Sequence, residues 1–223
     1  MIQPTFEQIM QQLQALADPR NVQMQAHFGI HPGKSLGIRI PALRALAKGV
    51  HSHQLADQLW QTGIHEARIL ASMLDKPQWV TRAQMESWVQ DFDTWDVCDQ
   101  VASNLFDKTP WALECSADWC EHPPEFVCRA GFAMLACMAV HRRDVPDESF
   151  FPFFAVIEAH AVDERNFVKK AVNWALRQLG KRSLVMQGLA TQSAEQLLLS
   201  PSSTARWVGA DAVRELRTHI PKK

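Results

Sequence analysis

The segments FVCRAGFAML, beginning at residue 126, and FVKKAVNWAL, beginning at residue 167, share the pattern F-V-x-[RK]-A-x-x-x-x-L at a period of 41 residues. No other feature of the chain restricts its fold as strongly. In both copies the apolar residues recur at intervals of three and four, as in a helix with one buried face. A repeat of this length is a helix pair, which covers its apolar faces only by stacking on the pairs before and after it. Weaker echoes at HEARILASML (65–74), DVCDQVASNLF (96–106) and ARWVGADAVREL (205–216) bring the number of similar helices to five, roughly evenly spaced.

Strand signals are scarce. The chain has no tyrosine, little β-branched alternation and no Asn-Gly or Asp-Gly turn. Pro41, Pro77, Pro110, Pro123, Pro124, Pro146, Gly180 and Pro201 punctuate the helical segments instead. The expected fold is all-α: a curved α-solenoid of HEAT-like antiparallel helix-pair repeats, forming a single domain over residues 1–223. Such an array has an extended concave surface that suits a large ligand.

Hydrophobic residues make up 47% and charged residues 21% of the 223, a balance that fits a soluble globular chain and excludes a disordered one. No apolar run reaches membrane-spanning length, and the N-terminus has no basic segment followed by an apolar one, so a cytoplasmic protein without membrane association is expected. Cys98, Cys115, Cys120, Cys128 and Cys137 are odd in number, lack CxxC spacing and sit in apolar helical patterns. They are expected as reduced core residues, with no metal site. HExxH, GxSxG, GxGxxG and GxxxxGK[ST] are all absent, so the common metal, nucleophile and nucleotide signatures offer no function, and no cofactor is expected.

A net charge of −1 argues against indiscriminate binding to a polyanion. Its distribution is uneven, however: Arg165, Lys169, Lys170, Arg177, Lys181 and Arg182 follow Asp163 and Glu164 without a further acid up to Ala194. On a helical wheel of FVKKAVNWALRQLGK, Val168, Val172, Ala175, Leu176 and Leu179 form the core stripe. Trp174 lies opposite, beside Lys170, Arg177 and Lys181. The plainer reading is an indole packed against a neighbouring repeat under basic stems; the functional one is an aromatic and cationic strip for phosphates and bases or sugars. RAGFAMLACMAV is apolar on every side, as in a helix enclosed by neighbours. Arg129 at its head therefore needs a carboxylate, water or bound anion, and a structural ion pair or a phosphate would serve equally.

FDTWDVCDQ (92–100) crowds three carboxylates into one short stretch. With Asp93 as N-cap and Asp96 at the third helical position, both acids complement free N–H groups and the helix dipole. Cys98, Val101, Ala102 and Leu105 make the core stripe, Asp96 is rotated toward solvent, and Trp95 and Asp99 lie together at the border. Asp99 is left without a capping role; a salt bridge to Arg129 or Arg68 is its ordinary explanation.

Taken together, GIRIPALRALAK (37–48), GIHEARILASML (63–74), FDTWDVCDQ, FVCRAGFAML, FVKKAVNWALRQLGK and ARWVGADAVRELR (205–217) resemble the AlkD-like DNA alkylation repair family. The resemblance runs from about residue 25 to 217. It implies a curved HEAT-like array that wraps double-stranded alkylated DNA and hydrolyses the N-glycosidic bond of cationic lesions such as N3-alkyladenine and N7-alkylguanine, without full extrusion of the base and without a cofactor. The family's W-x-x-x-D spacing fits Trp95 and Asp99, with Asp96 as the alternative carboxylate. Its basic residue heading the FV-x-R-A helix fits Arg129, and its tryptophan in KKA-x-x-WALR fits Trp174. Lys169, Lys170, Arg177, Lys181 and Arg206 are the expected DNA-backbone contacts. A monomer, associated with the nucleoid when bound to DNA, is expected. The alternatives are a non-catalytic HEAT-repeat protein that binds damaged or branched DNA, and a protein-binding scaffold; Trp174 on its cationic face argues against the scaffold.

Overall fold

The computed structural model describes residues 3–219. Thirteen α-helices and three short 3-10 turns, with no strand, make up the described residues. They divide into two compact units, the first ending at Pro110 and the second starting at Trp111. The boundary falls at one of the prolines that punctuate the sequence.

The first unit holds α1 (Phe6–Ala15), α2 (Pro19–Ala26), α3 (Ile40–Ala47), α4 (His53–Gln61), α5 (His65–Leu74), α6 (Arg82–Gln90) and α7 (Trp95–Asn104). The starts follow from local chemistry. Thr5 and Gln8 form a reciprocal capping box, Asp18 caps α2 ahead of a proline at its first position, and the Ser52 and Thr81 hydroxyls accept from Leu55 N and Gln84 N. Packing then fixes the register of the repeats. Trp60 of α4 stacks on Trp88 of α6 at 4.0 Å and 2°, and the Trp60 indole N–H donates to Asp91 at 2.8 Å. His65 and Asp96, like Trp60 and Asp91, are 31 residues apart in sequence, and Ser72 and Asn104 are 32 apart.

The second unit holds α8 (Ala112–Cys120), α9 (Glu125–His141), α10 (Pro152–His160), α11 (Asn166–Gly180), α12 (Leu184–Leu198) and α13 (Ser203–Leu216). The enclosed helix expected from RAGFAMLACMAV is α9: every residue from Val127 to Ala139 is buried. Gly131 lets α8 approach it closely. A Cβ there would lie 2.5 Å from Cys120 N and 2.9 Å from Ser116 O, and the Ser116 hydroxyl donates to the Gly131 carbonyl at 2.7 Å. Phe126 and Phe167, equivalent positions of the repeat, meet with ring centroids 5.4 Å apart. The five cysteines are buried and free of disulfides. No helix among the described residues is long and apolar enough to cross a membrane.

Candidate nucleic-acid interface

The α7 core stripe is as expected, with Cys98, Val101, Ala102 and Leu105 all at most 1% exposed. The start of the helix is not. Thr94, with extended backbone, occupies the N-cap position, and Asp93 lies outside the helix in an ion pair with Lys34 at 3.2 Å. Nor does Asp96 turn to solvent: its carboxylate accepts from His65 Nε2 at 2.8 Å, with only 16% of the side chain exposed. The wheel could not register this, because α5 packs on that flank of α7 and brings its own polar residue there. Burial pushes the His65 imidazole down, but its hydrogen bond to Asp96 and the charges of Asp96, Glu66 and Asp93 outweigh it and raise the pKa above the ordinary histidine value. Asp99 is half-buried, one turn beyond the half-buried Trp95.

Trp95 is positioned by a segment the sequence did not single out. Its indole N–H donates to the Phe28 carbonyl at 2.9 Å. Phe28 precedes a loop that closes on Glu66 of α5, a fully buried carboxylate. Glu66 accepts from the backbone N–H groups of Leu36, Gly37 and Ile38 at 2.7–3.1 Å and from the Ser35 hydroxyl at 2.9 Å. Gly37, at φ +75°, makes this turn possible, since a Cβ would sit 2.2 Å from Asp18 O. The available signal was an acid inside an otherwise apolar helical segment, HEARILASML, where a carboxylate must find donors.

Arg129 is 5% exposed, and its Nη1 donates to the Phe167 carbonyl at 2.6 Å, in the first turn of α11. Arg68 is held over the Trp60 ring at 5.1 Å and pairs with Asp91 at 3.4 Å. Arg182, counted among the basic residues of the sequence, is 7% exposed: its Nη1 donates to the carbonyls of Met138, Ala139 and Arg142 near the end of α9, and its Nε to Asp147 at 2.8 Å. It serves as the C-terminal cap of α9 and contributes nothing to a cationic surface.

On α11 the predicted stripe Val168, Val172, Ala175, Leu176 and Leu179 is completely buried, and Trp174 is half-buried on the other side. The cations there divide. Arg177 pairs with Glu215 and lies 3.6 Å from Asp211, and Lys181 also pairs with Glu215. The acids come from α13, 34 to 38 residues onward, so a run of basic sequence becomes a balanced ion-pair cluster once the helices pack. Lys170 is exposed with no ionic partner among the described residues, Lys169 Nζ lies 5.7 Å from the centroid of Trp207, and the exposed Arg206 donates to the Ser200 and Pro201 carbonyls at 2.8 and 2.7 Å.

Among the described residues, one group of potential metal ligands converges: Cys128, His160 and Asp163, whose donor atoms lie within 4.8 Å of one another. Arg165 already pairs with Asp163 at 2.6 Å, and burial pushes the Cys128 thiol up to about 11. A divalent ion would have to displace that guanidinium and take the thiol's proton, so the donor set is poorly matched to one.

Helix pairs without strands, stacked so that equivalent residues of successive pairs meet, define a HEAT-like repeat protein. A solved structure described as "a new family of proteins related to the HEAT-like repeat DNA glycosylases with affinity for branched DNA structures" superposes with a TM-score of 0.81 over 99% of both chains, at 17% identity. The chain belongs to the DNA alkylation repair enzyme family, whose profile matches residues 9–187. A designed armadillo repeat protein aligns at 13% identity over 89% of this chain and 99% of its own, with a TM-score of only 0.32. No curated protein matches significantly.

Proposed function

We propose that the protein is a DNA glycosylase that hydrolyses the N-glycosidic bond of cationic alkylated purines, N3-alkyladenine and N7-alkylguanine, in duplex DNA. The observation that carries this reading is the placement of Trp95 and Asp99, both half-buried and one turn apart at the head of α7, in a member of the alkylation repair family. The Trp95 indole is tethered to the Phe28 carbonyl, Asp93 pairs with Lys34 and Asp96 with His65. Alkylation makes the purine a cationic leaving group, so strong protonation by the protein is unnecessary. The sugar develops oxocarbenium character, which a carboxylate and indole faces stabilise.

In this reading Asp99 supplies the charge and positions the attacking water, Trp95 and Trp174 hold the deoxyribose, and Arg129 serves a backbone phosphate. Lys169, Lys170 and Arg206 engage further phosphates; Arg177 and Lys181, already paired with acids, contribute less. With the backbone and sugar gripped, the base need not leave the stack completely, and lesion charge selects the substrate more than base shape. No cofactor enters.

The second reading is a non-catalytic protein for damaged or branched DNA. It is favoured by the affinity for branched DNA of the structural relative and by the near-neutral charge. Purified protein incubated with duplex containing 7-methylguanine or 3-methyladenine should release free base above the spontaneous rate. Tight DNA binding without release would leave the second reading.

A further inference from the structure

Helices α11 and α13 lie side by side and run in parallel, because their contacts advance together: Lys169 meets Trp207, Asn173 meets Asp211 and Arg177 meets Glu215, each pair 38 residues apart. The upper rungs are electrically closed. Asp211 takes Asn173, Arg177 and Arg214, and Glu215 takes Arg177 and Lys181. The lowest rung differs. It holds a tryptophan 43% exposed, a lysine ammonium near its ring, and the exposed Lys170 and Arg206 close by in sequence, with no carboxylate paired to any of the three cations among the described residues.

A half-exposed indole among cations is a costly way to make a solvated helix face. Arg206 is also held in place by the Ser200 and Pro201 carbonyls, so little of its freedom would be lost on meeting an anion. We propose that Trp207, with Lys169, Lys170 and Arg206, is a nucleotide-binding shelf: the indole stacks on an unpaired base while the cations take the flanking phosphates. Bases in an intact duplex have both faces covered by their neighbours, so the shelf selects DNA with an unpaired nucleotide, as at a gap, flap or branch. Trp207 lies beyond residues 9–187, the part matched by the family profile. The inference rests on the DNA-binding reading above, and does not depend on whether base is released.

The test uses the full chain and two fluorescent DNAs of equal length, one fully paired and one with a five-nucleotide single-stranded gap containing 2-aminopurine. The wild type should bind the gapped DNA more tightly and quench the 2-aminopurine. Trp207→Ala should reduce affinity for gapped DNA about tenfold, collapse the preference over the paired duplex and lose the quenching, while Trp207→Phe retains most of each. Equal affinity of the wild type for both DNAs, or an undiminished preference and quenching in Trp207→Ala, would overturn the shelf and leave the glycosylase reading standing. Binding to neither DNA would sink both readings, and capture of an oligoglutamate peptide in their place would assign the surface to an acidic protein.

Discussion

The guanidinium of Arg129 in α9 donates to the backbone carbonyl of Phe167 in α11 across 2.6 Å, tying one repeat to the start of the next. The contact gives a side chain that is 5% exposed a structural duty alongside its proposed one. Arg129→Ala should therefore lower stability by about 1.5–3 kcal/mol, the usual scale for a hydrogen bond involving a charged group. Urea unfolding of the variant measures it; an unchanged midpoint would mean that Arg129 acts on DNA alone.

Asp96 and Asp99 should separate cleanly. Asp99→Asn should reduce release of 7-methylguanine by at least about 100-fold, a typical loss for one electrostatic stabiliser, with DNA affinity preserved. Asp96→Asn should instead lower the melting temperature, since His65 loses its anionic partner. If Asp96→Asn abolished release and Asp99→Asn did not, Asp96 would be the reacting carboxylate.

The same pair makes stability depend on pH. Because the folded-state pKa of His65 is raised, its pairing with Asp96 stabilises the fold fully below the unfolded histidine value of about 6.5 and is lost as pH rises through the folded value. The gap in melting temperature between wild type and His65→Gln should therefore shrink as pH rises above the unfolded histidine value of about 6.5. A gap that widens with pH would contradict the raised pKa of His65.

Glu66 is a stability determinant that the apolar periodicity of its helix does not mark. Removing it leaves three backbone N–H groups in the 36–38 turn without their acceptor, each costing about 1–3 kcal/mol where buried. Glu66→Ala should accordingly destabilise the first unit and release the loop beyond Phe28, read as faster amide exchange at residues 35–38. Protection equal to wild type would show that other groups hold the turn.

Salt dependence distinguishes the two groups of cations on α11. Lys169→Ala and Lys170→Ala should each reduce the slope of log affinity against log salt by about 1. Arg177→Ala should change the slope little and stability more, because its charge is already matched by Glu215 and Asp211. Slopes unchanged from wild type in all three variants would place this face away from the DNA.

Much of this was legible in the residues. The interval from Phe126 to Phe167 announced stacked helix pairs, and in the folded chain those two rings touch. The apolar stripes of α7 and α11 and the enclosed α9 were readable because a helix fixes which residues share a face, whatever it later packs against. The family was likewise readable in the order of the motifs. The N-cap of α7 was not: Asp93 and Thr94 are both residue types that cap helices, and in the folded chain Asp93 instead meets Lys34, which is 59 residues away.

The sequence by itself determined the helices, the faces they bury and the carriers of charge, because these follow from local periodicity and side-chain chemistry. Which charges meet was decided only by the tertiary structure. Asp96 could turn to solvent or to His65, and Arg177 could face DNA or Glu215; a helical wheel treats these alternatives alike. Ion pairs and hydrogen bonds act over a few ångströms between residues some 30 to 40 positions apart, so their partners exist only once the repeats stack.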